Sequence, residues 1–444
     1  MPSLEHLPKE IIDSIVSHLE LNDIRNLRLT SRSLALGSSG SHFKSYFRRK
    51  HVDLTEHALR NFVEETKPGR TGRLLQDLVL IGGTENTPIG LEQAKAQLDL
   101  SVLMQRQILS ERMRESGTYV RLLTEAFGNL IADGRSPGLQ SLSLQVVVYR
   151  VDAEKRLPPD TGGSWTLIWR AAGDTFHTAL GALAASRMPV ERLDIYNCQQ
   201  RCSLACTELS AIDFECKGLA TSLATLRIIS ISYSDRIINV RKEDIGDTGD
   251  SADEIDHDAP AIDDFREDDD IEVEACDEAN FLGLARLLKL CSGLENLELH
   301  HYAIPLDSYP YFDLHRDMFL QRIVATVQLP KLQRCTLRGL RVREVDLLEF
   351  LKKTTPAIKD FQMDMVRLAS GTFSSIFDYC TSEHAGLERL YFNDLFAPGE
   401  LEHAYYDRDP GKPRLINFDG PCSNMLDRIG PEVRRPIVLF MIAT

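Results

Sequence analysis

The residues best suited to chemistry are cysteines and histidines, and their spacing argues for packing instead. Cys198, Cys202 and Cys206 recur every fourth residue, which predicts a ladder along one helix face. A structural zinc site needs CxxC-type pairs with two further ligands, and no matching histidine pair follows. Buried small hydrophobes are the expectation. His300 and His301 are adjacent but stand outside an HExxH context, so they are expected as strand-end residues. Gly162-Gly163 has no GxxxxGK or GxGxxG around it, which leaves an isolated turn rather than a phosphate cradle. A GxSxG nucleophile elbow is also missing. SYFRRKH at 45–51 is basic and is expected as the solvated face of an amphipathic helix, with a nuclear-import signal as the other reading. The expectation is a protein that is not an enzyme, with no catalytic, cofactor-binding or metal-ligating residue and no cofactor.

What those residues sit on follows from the whole chain. It has 444 residues, 43% apolar and 26% charged, an ordinary globular composition with ample material for a core. Nine cysteines in no regular framework suggest reduced thiols. MPSLEHLPKE lacks the apolar run of a signal peptide, and PIVLFMIAT at 436–444 is about half of a membrane-spanning helix. A soluble protein of the cytoplasm or nucleus is expected, with no membrane partner. The net charge of −15 is concentrated in one stretch. Residues 243–278 hold eighteen acidic side chains and one basic, Arg266; the rest of the chain nets +2. A near-neutral body lacks the basic face of a nucleic-acid binder. The stretch 243–278 is expected to be a disordered acidic insertion, because its like charges repel and it cannot bury a core.

The short pattern apolar-x-x-apolar-x-apolar recurs eight times, starting at 75, 139, 190, 223, 294, 332, 358 and 387. Each unit is expected to form a strand with its fourth and sixth positions inward. Helix-like stretches lie between, such as 91–131 and 281–291. Only the last two steps, 26 and 29 residues, match a leucine-rich repeat. The pattern resembles that class in degenerate form; an ordinary α/β sheet protein is the alternative. The fold class expected is α/β: an all-α N-terminal bundle over 1–51, then an irregular leucine-rich-repeat-like solenoid over 70–242 and 279–444.

Near the N-terminus, Leu7, Ile11, Ile12, Ile15, Val16 and Leu19 fall on one broad helix face. Pro8 suits a first helical turn, and Asn22 or Asp23 is expected to cap a second helix carrying Ile24 and Leu27. Phe43 and Phe47 share a face further on. LEHLPKEIIDSIVSHLELNDIRNLRLTSRSL resembles an F-box through Leu7-Pro8, Glu10-Ile11, Ile15, Leu19, Asp23-Ile24, Leu27-Arg28 and Thr30-Ser31-Arg32. It departs from many members in having no tryptophan after the third helix, a place that Phe43 or Phe47 would fill. The resemblance implies binding to the Skp adaptor of a cullin-based ubiquitin ligase. Leu7, Pro8, Ile11, Ile12, Ile15, Leu19, Ile24 and Leu27 are the expected contacts, because so short a bundle cannot hide them all.

The expected function is the substrate-recognition subunit of a Skp–cullin–F-box ligase. The rivals are an interaction scaffold outside a ligase and an enzyme with a helical docking element. The protein target is expected on the open side of the strands, at third, fifth and seventh positions. These are Arg192, Asp194 and Tyr196; Asn296, Glu298 and His300; Arg334, Thr336 and Arg338; Asp360, Gln362 and Asp364; and Arg389, Tyr391 and Asn393. Exposed Arg and Tyr are frequent anchors of protein recognition.

Overall fold

The computed structural model describes residues 4–85, 108–132, 138–149, 156–159, 165–234, 277–302, 318–354, 357–398, 402–407 and 422–443. The acidic stretch 243–278, apart from its last two residues, and Gly162-Gly163 lie outside the described residues. The chain is mixed α/β and divides into two compact units. One is Met1–Arg156, Asp174–Asp194 and Lys217–Leu223; the other is Leu157–Gly173, Ile195–Cys216 and Ala224–Thr444.

The first unit starts with four short helices: α1 (Lys9–Val16), α2 (Leu21–Thr30), α3 (Arg32–Gly37) and α4 (Ser41–Ser45). Strand β1 (Arg49–Asp53), α5 (Glu56–Thr66), β2 (Asp77–Glu85), α6 (Thr118–Ile131) and β3 (Leu139–Tyr149) follow. After α7 (Trp165–Ser186) comes β4 (Val190–Ile195). The strands lie in the order β1-β2-β3-β4, with β1, β2 and β3 parallel. Leu78, Val79, Leu80 and Ile81 are all buried, as expected of a parallel strand covered on both faces.

The second unit takes the first part of α7, up to Gly173, and then α8 (Cys206–Ser210); helix α9 (Lys217–Leu223) belongs to the first unit. Next come β5 (Ile228–Ser234), α10 (Ala279–Lys289), β6 (Asn296–His301), α11 (Met318–Thr326) and β7 (Arg334–Arg338). They are followed by β8 (Arg341–Arg343), α12 (Glu344–Thr354), β9 (Asp360–Asp364), β10 (Arg367–Ser370), α13 (Ser374–Thr381) and β11 (Arg389–Asn393). Strands β12 (Glu402–Asp407), β13 (Cys422–Ser423), β14 (Met425–Ile429) and β15 (Leu439–Ala443) complete it. The main ladder runs β5-β6-β7-β9-β11, all parallel, and ends on antiparallel β14. Strands β12, β13 and β15 form a separate antiparallel sheet.

The register is constant. Ile228, Asn296, Arg334, Asp360 and Arg389 stand side by side. Just before each strand one carbonyl accepts two backbone N–H groups from the next. Arg227 O takes Glu295 N and Asn296 N at 2.8 and 2.9 Å, and Glu295 O takes Gln333 N and Arg334 N at 2.8 and 3.0 Å. Gln333 O serves Lys359 and Asp360 likewise, and Lys359 O serves Glu388 and Arg389. In the first unit Arg48 O and Gln76 O do the same. Directly after β7, β9 and β11 the chain turns through a left-handed residue: Gly339 (φ +67°), Met365 (φ +54°) and Asp394 (φ +50°). Glycine is required at the first, because a Cβ there would sit 2.4 Å from the His301 carbonyl oxygen.

The inward positions form the core. Leu297, Leu299, Cys335, Leu337, Phe361, Met363, Leu390 and Phe392 are fully buried. Phe392 stacks on Phe377 of α13 at 5.2 Å and meets Phe361 edge-on at 6.1 Å, favourable aromatic geometries.

Four local expectations fail. The unit LATLRI does not start a strand at 223: Leu223 ends α9 and β5 begins at Ile228. Cys198 lies in a turn, Cys202 in irregular chain and only Cys206 in a helix, so the three form no helix ladder. Cys202 is nevertheless buried, and burial pushes its thiol far up. The stretch SYFRRKH is not one amphipathic helix, since α4 ends at Ser45 and β1 starts at Arg49. Helix α2 starts at Leu21 with Glu20 before it, so neither Asn22 nor Asp23 is the cap.

Candidate functional site

Two surfaces carry the side chains nominated above. The first is the N-terminal bundle. Its core is Ile12, Val16, Ile24, Leu34 and Phe43, with Leu7, Leu19, Leu21, Leu27 and Phe47 packed half-buried against it. The helices are joined by polar contacts. Ser31 caps α3 by accepting from Leu34 N at 3.2 Å. Arg28 reaches from α2 to donate to Ala35 O at 2.8 Å and to Ser39 Oγ, and its guanidinium lies 4.2 Å from the Phe43 ring centroid. Tyr46 Oη donates to Leu19 O at 3.2 Å. Phe43 and Phe47 meet edge-on at 5.0 Å, so both aromatics serve the bundle.

Helix α1 presents two apolar stripes. Ile12 and Val16 face the core. Ile11 and Ile15 sit about 100° round the helix and are 47% and 37% exposed. Pro8 is exposed as well. Of the residues expected to contact an adaptor, Ile12 and Ile24 are corrected: both are buried and hold the bundle together. Leu7, Leu19 and Leu27 are half-buried. Sequence reasoning missed Leu29 and Leu36, which are 85% and 80% exposed, and Leu4, also exposed. Periodicity marks apolar residues but does not say which stripe the neighbouring helices cover.

The second surface is the open side of the ladder. Asn296, Glu298, His300, Thr336, Arg338, Asp360, Gln362, Asp364, Arg389, Tyr391 and Asn393 are half-buried on it and Arg334 is exposed. The constant register brings them into one lattice. Arg334 Nε donates to Asp360 Oδ2 and Arg338 Nε to Asp364 Oδ2, both at 3.0 Å. Asn393 Nδ2 donates to Asp364 Oδ1 at 2.8 Å. His300 is held well below the usual histidine range, to about 4, by burial first and then by Arg338 and His301, against Glu298 and Asp364. It is neutral at physiological pH.

The expectation fails on β4. Arg192 is exposed, but Asp194 and Tyr196 are buried. Tyr196 adopts a positive φ of 59° and donates its hydroxyl to Ala172 O at 2.6 Å. Leu193, Asp194, Ile195 and Tyr196 are all buried in succession, so two-sided burial overrides alternation here. Strand β14, which lacks the hexamer pattern and runs antiparallel, was also missed; it adds Met425, Asp427 and Ile429 opposite Asn393, Tyr391 and Arg389.

Among the described residues no group of histidine, cysteine and carboxylate side chains is arranged to hold a metal ion, and no helix is long and apolar enough to cross a membrane. No curated protein matches the chain. Helices α1, α2 and α3 coincide with a known protein-interaction module: the family model for the F-box domain matches residues 4–36, so the chain carries an F-box domain, of the kind that generally binds Skp-type adaptors.

Proposed function

We propose that the chain is the target-recognition subunit of a Skp–cullin–F-box ubiquitin ligase, acting in the cytoplasm or nucleus and performing no chemistry itself. The observation that carries this is the second apolar stripe of α1, exposed within the matched F-box residues. Covering an apolar side chain of this size contributes about 1.5–3 kcal/mol relative to full exposure. Ile11 and Ile15, already partly covered, would contribute less than that each. Pro8, Leu29 and Leu36 extend the apolar area available to an adaptor.

The ladder then serves as the target-holding body. We read it as a degenerate leucine-rich-repeat-like solenoid. Support comes from the constant register, the left-handed residue after three successive strands, and the steps of 26 and 29 residues between the last three hexamers. The face centred on Arg334, Arg338, Asp364, Arg389 and Tyr391 holds the target; Asn296, Glu298, His300 and Asp360 extend it.

The test is capture by a purified Skp-type adaptor. The double variant Ile11→Asp/Ile15→Asp loses at least about thirtyfold in affinity, the scale of an interface hot spot, while its circular dichroism stays that of the parent. Undiminished capture would move adaptor binding away from α1. A complex that holds the adaptor but no cullin would point to the scaffold role instead.

A further inference from the structure

The polar face is striped by charge. Strand β6 carries Glu298, β7 carries Arg334 and Arg338, β9 carries Asp360 and Asp364, β11 carries Arg389, and β14 carries Asp427. Directly opposed residues share a face and their Cβ atoms lie about 5 Å apart. Each arginine stripe is therefore neutralised by an acidic neighbour. Arg334 and Arg338 reach Asp360 and Asp364 at 3.0 Å, but Arg389 reaches Asp427 only at 3.4 Å through both Nε and Nη2, the long limit of a hydrogen bond. Among the described residues the series stops on this acidic stripe, with no basic strand beyond it.

Apolar groups border the same place. Tyr391 stands opposite Asp427, with Met425 and Ile429 two residues to either side on β14, and Met365 follows Asp364. Met365, Met425 and Ile429 are all exposed, Ile429 at 63%. Burial first, then Asp364, Asp427 and Asp394, push the Tyr391 phenol up, opposed by Arg338 alone. The field at the ring is therefore negative. An aromatic face in a negative field, with apolar neighbours, attracts a cation on an apolar stem.

We propose that the Tyr391–Asp427 patch receives a lysine or arginine side chain of the protein target, flanked in that target by apolar residues that cover Met425 and Ile429. This rests on the reading of the ladder face as the target-holding surface and names its specificity: the incoming cation supplies the basic stripe that would come next.

The test is selection of a displayed library of random twelve-residue peptides on the full chain. Enriched peptides carry a basic residue between apolar ones, and their affinity falls about tenfold or more on Tyr391→Ala and on Asp427→Lys. Selection on Asp427→Lys shifts the central residue to Asp or Glu. Adaptor capture by the same variants stays at the parent's level. If the enriched peptides are acidic and are lost on Arg334→Glu/Arg338→Glu, the face still holds targets but the cation specificity is wrong. Peptides indifferent to all four substitutions, or no enrichment at all, overturn both the specificity and the target-holding role of the face.

Discussion

The N-terminal bundle and the strand ladder use apolar residues in opposite ways. In the ladder the inward positions from Leu297 to Phe392 are fully buried, and the outward ones are polar, with Arg334 and Arg338 paired across strands to Asp360 and Asp364. In the bundle the apolar residues split: Ile12, Val16 and Ile24 are hidden while Ile11, Ile15, Leu29 and Leu36 face outward. A sheet presents one row of side chains to each face, so a two-residue period sorts them cleanly. Four helices of ten residues or fewer have too little interior for a two-stripe helix. On the function proposed above, apolar residues outside the bundle core serve contact, and polar residues outside the ladder core form a face on which contact is selective.

The largest effect that would break this contrast is in the ladder core. Phe361→Ala lowers stability by about 3–5 kcal/mol, the range for a buried aromatic, read from the denaturant midpoint of the second unit's transition. In the bundle, Ile24→Ala costs about 2–4 kcal/mol and weakens adaptor capture by unfolding the module. Ile11→Ala, by contrast, changes stability by less than about 0.5 kcal/mol and still weakens capture. Equal stability losses for Ile11→Ala and Ile24→Ala would erase the distinction between the two stripes.

Acidification sharpens the ladder side. The ordinary histidine pKa is near 6.5, and His300 in the folded chain lies at about 4. Its neutral form is the one the fold accepts. The stability it lends is complete above pH 6.5 and is lost as pH falls from there through about 4. His300→Gln removes that part of the slope of melting temperature against pH; an unchanged slope would assign it to other groups. The smallest effect is on the outward ion pairs. Arg334→Ala costs at most about 1 kcal/mol, because the arginine is exposed and its attraction to Asp360 is screened. A loss several times larger, in a thermal melt, would make the lattice a structural element rather than a binding face.

Much of this was legible beforehand because strand burial leaves a two-residue signature. The hexamers at 294, 332, 358 and 387 all became ladder strands beginning at their third position. The signature fails where a strand is covered on both sides, as at Asp194 and Tyr196, and in β5, whose Ser230, Ser232 and Ser234 are buried. It fails again at β14, where the chain reverses direction and the hexamer is absent. In the bundle, Ile11 and Ile12 are neighbours in the chain and opposite in fate. Only the placement of α3 and α4 separates them, and no local pattern encodes that.

The column of doubly bonded carbonyls has a further meaning for how such a protein changes over time. Residues 227, 295, 333 and 359 occupy equivalent places although the chain between them runs 68, 38 and 26 residues. The strand register is thus indifferent to the length of what is inserted between strands. Connecting segments can be lengthened, shortened or exchanged while the lattice of Arg, Asp and Tyr groups keeps its spacing. New contacts can accumulate around a fixed polar face without the core being rebuilt each time.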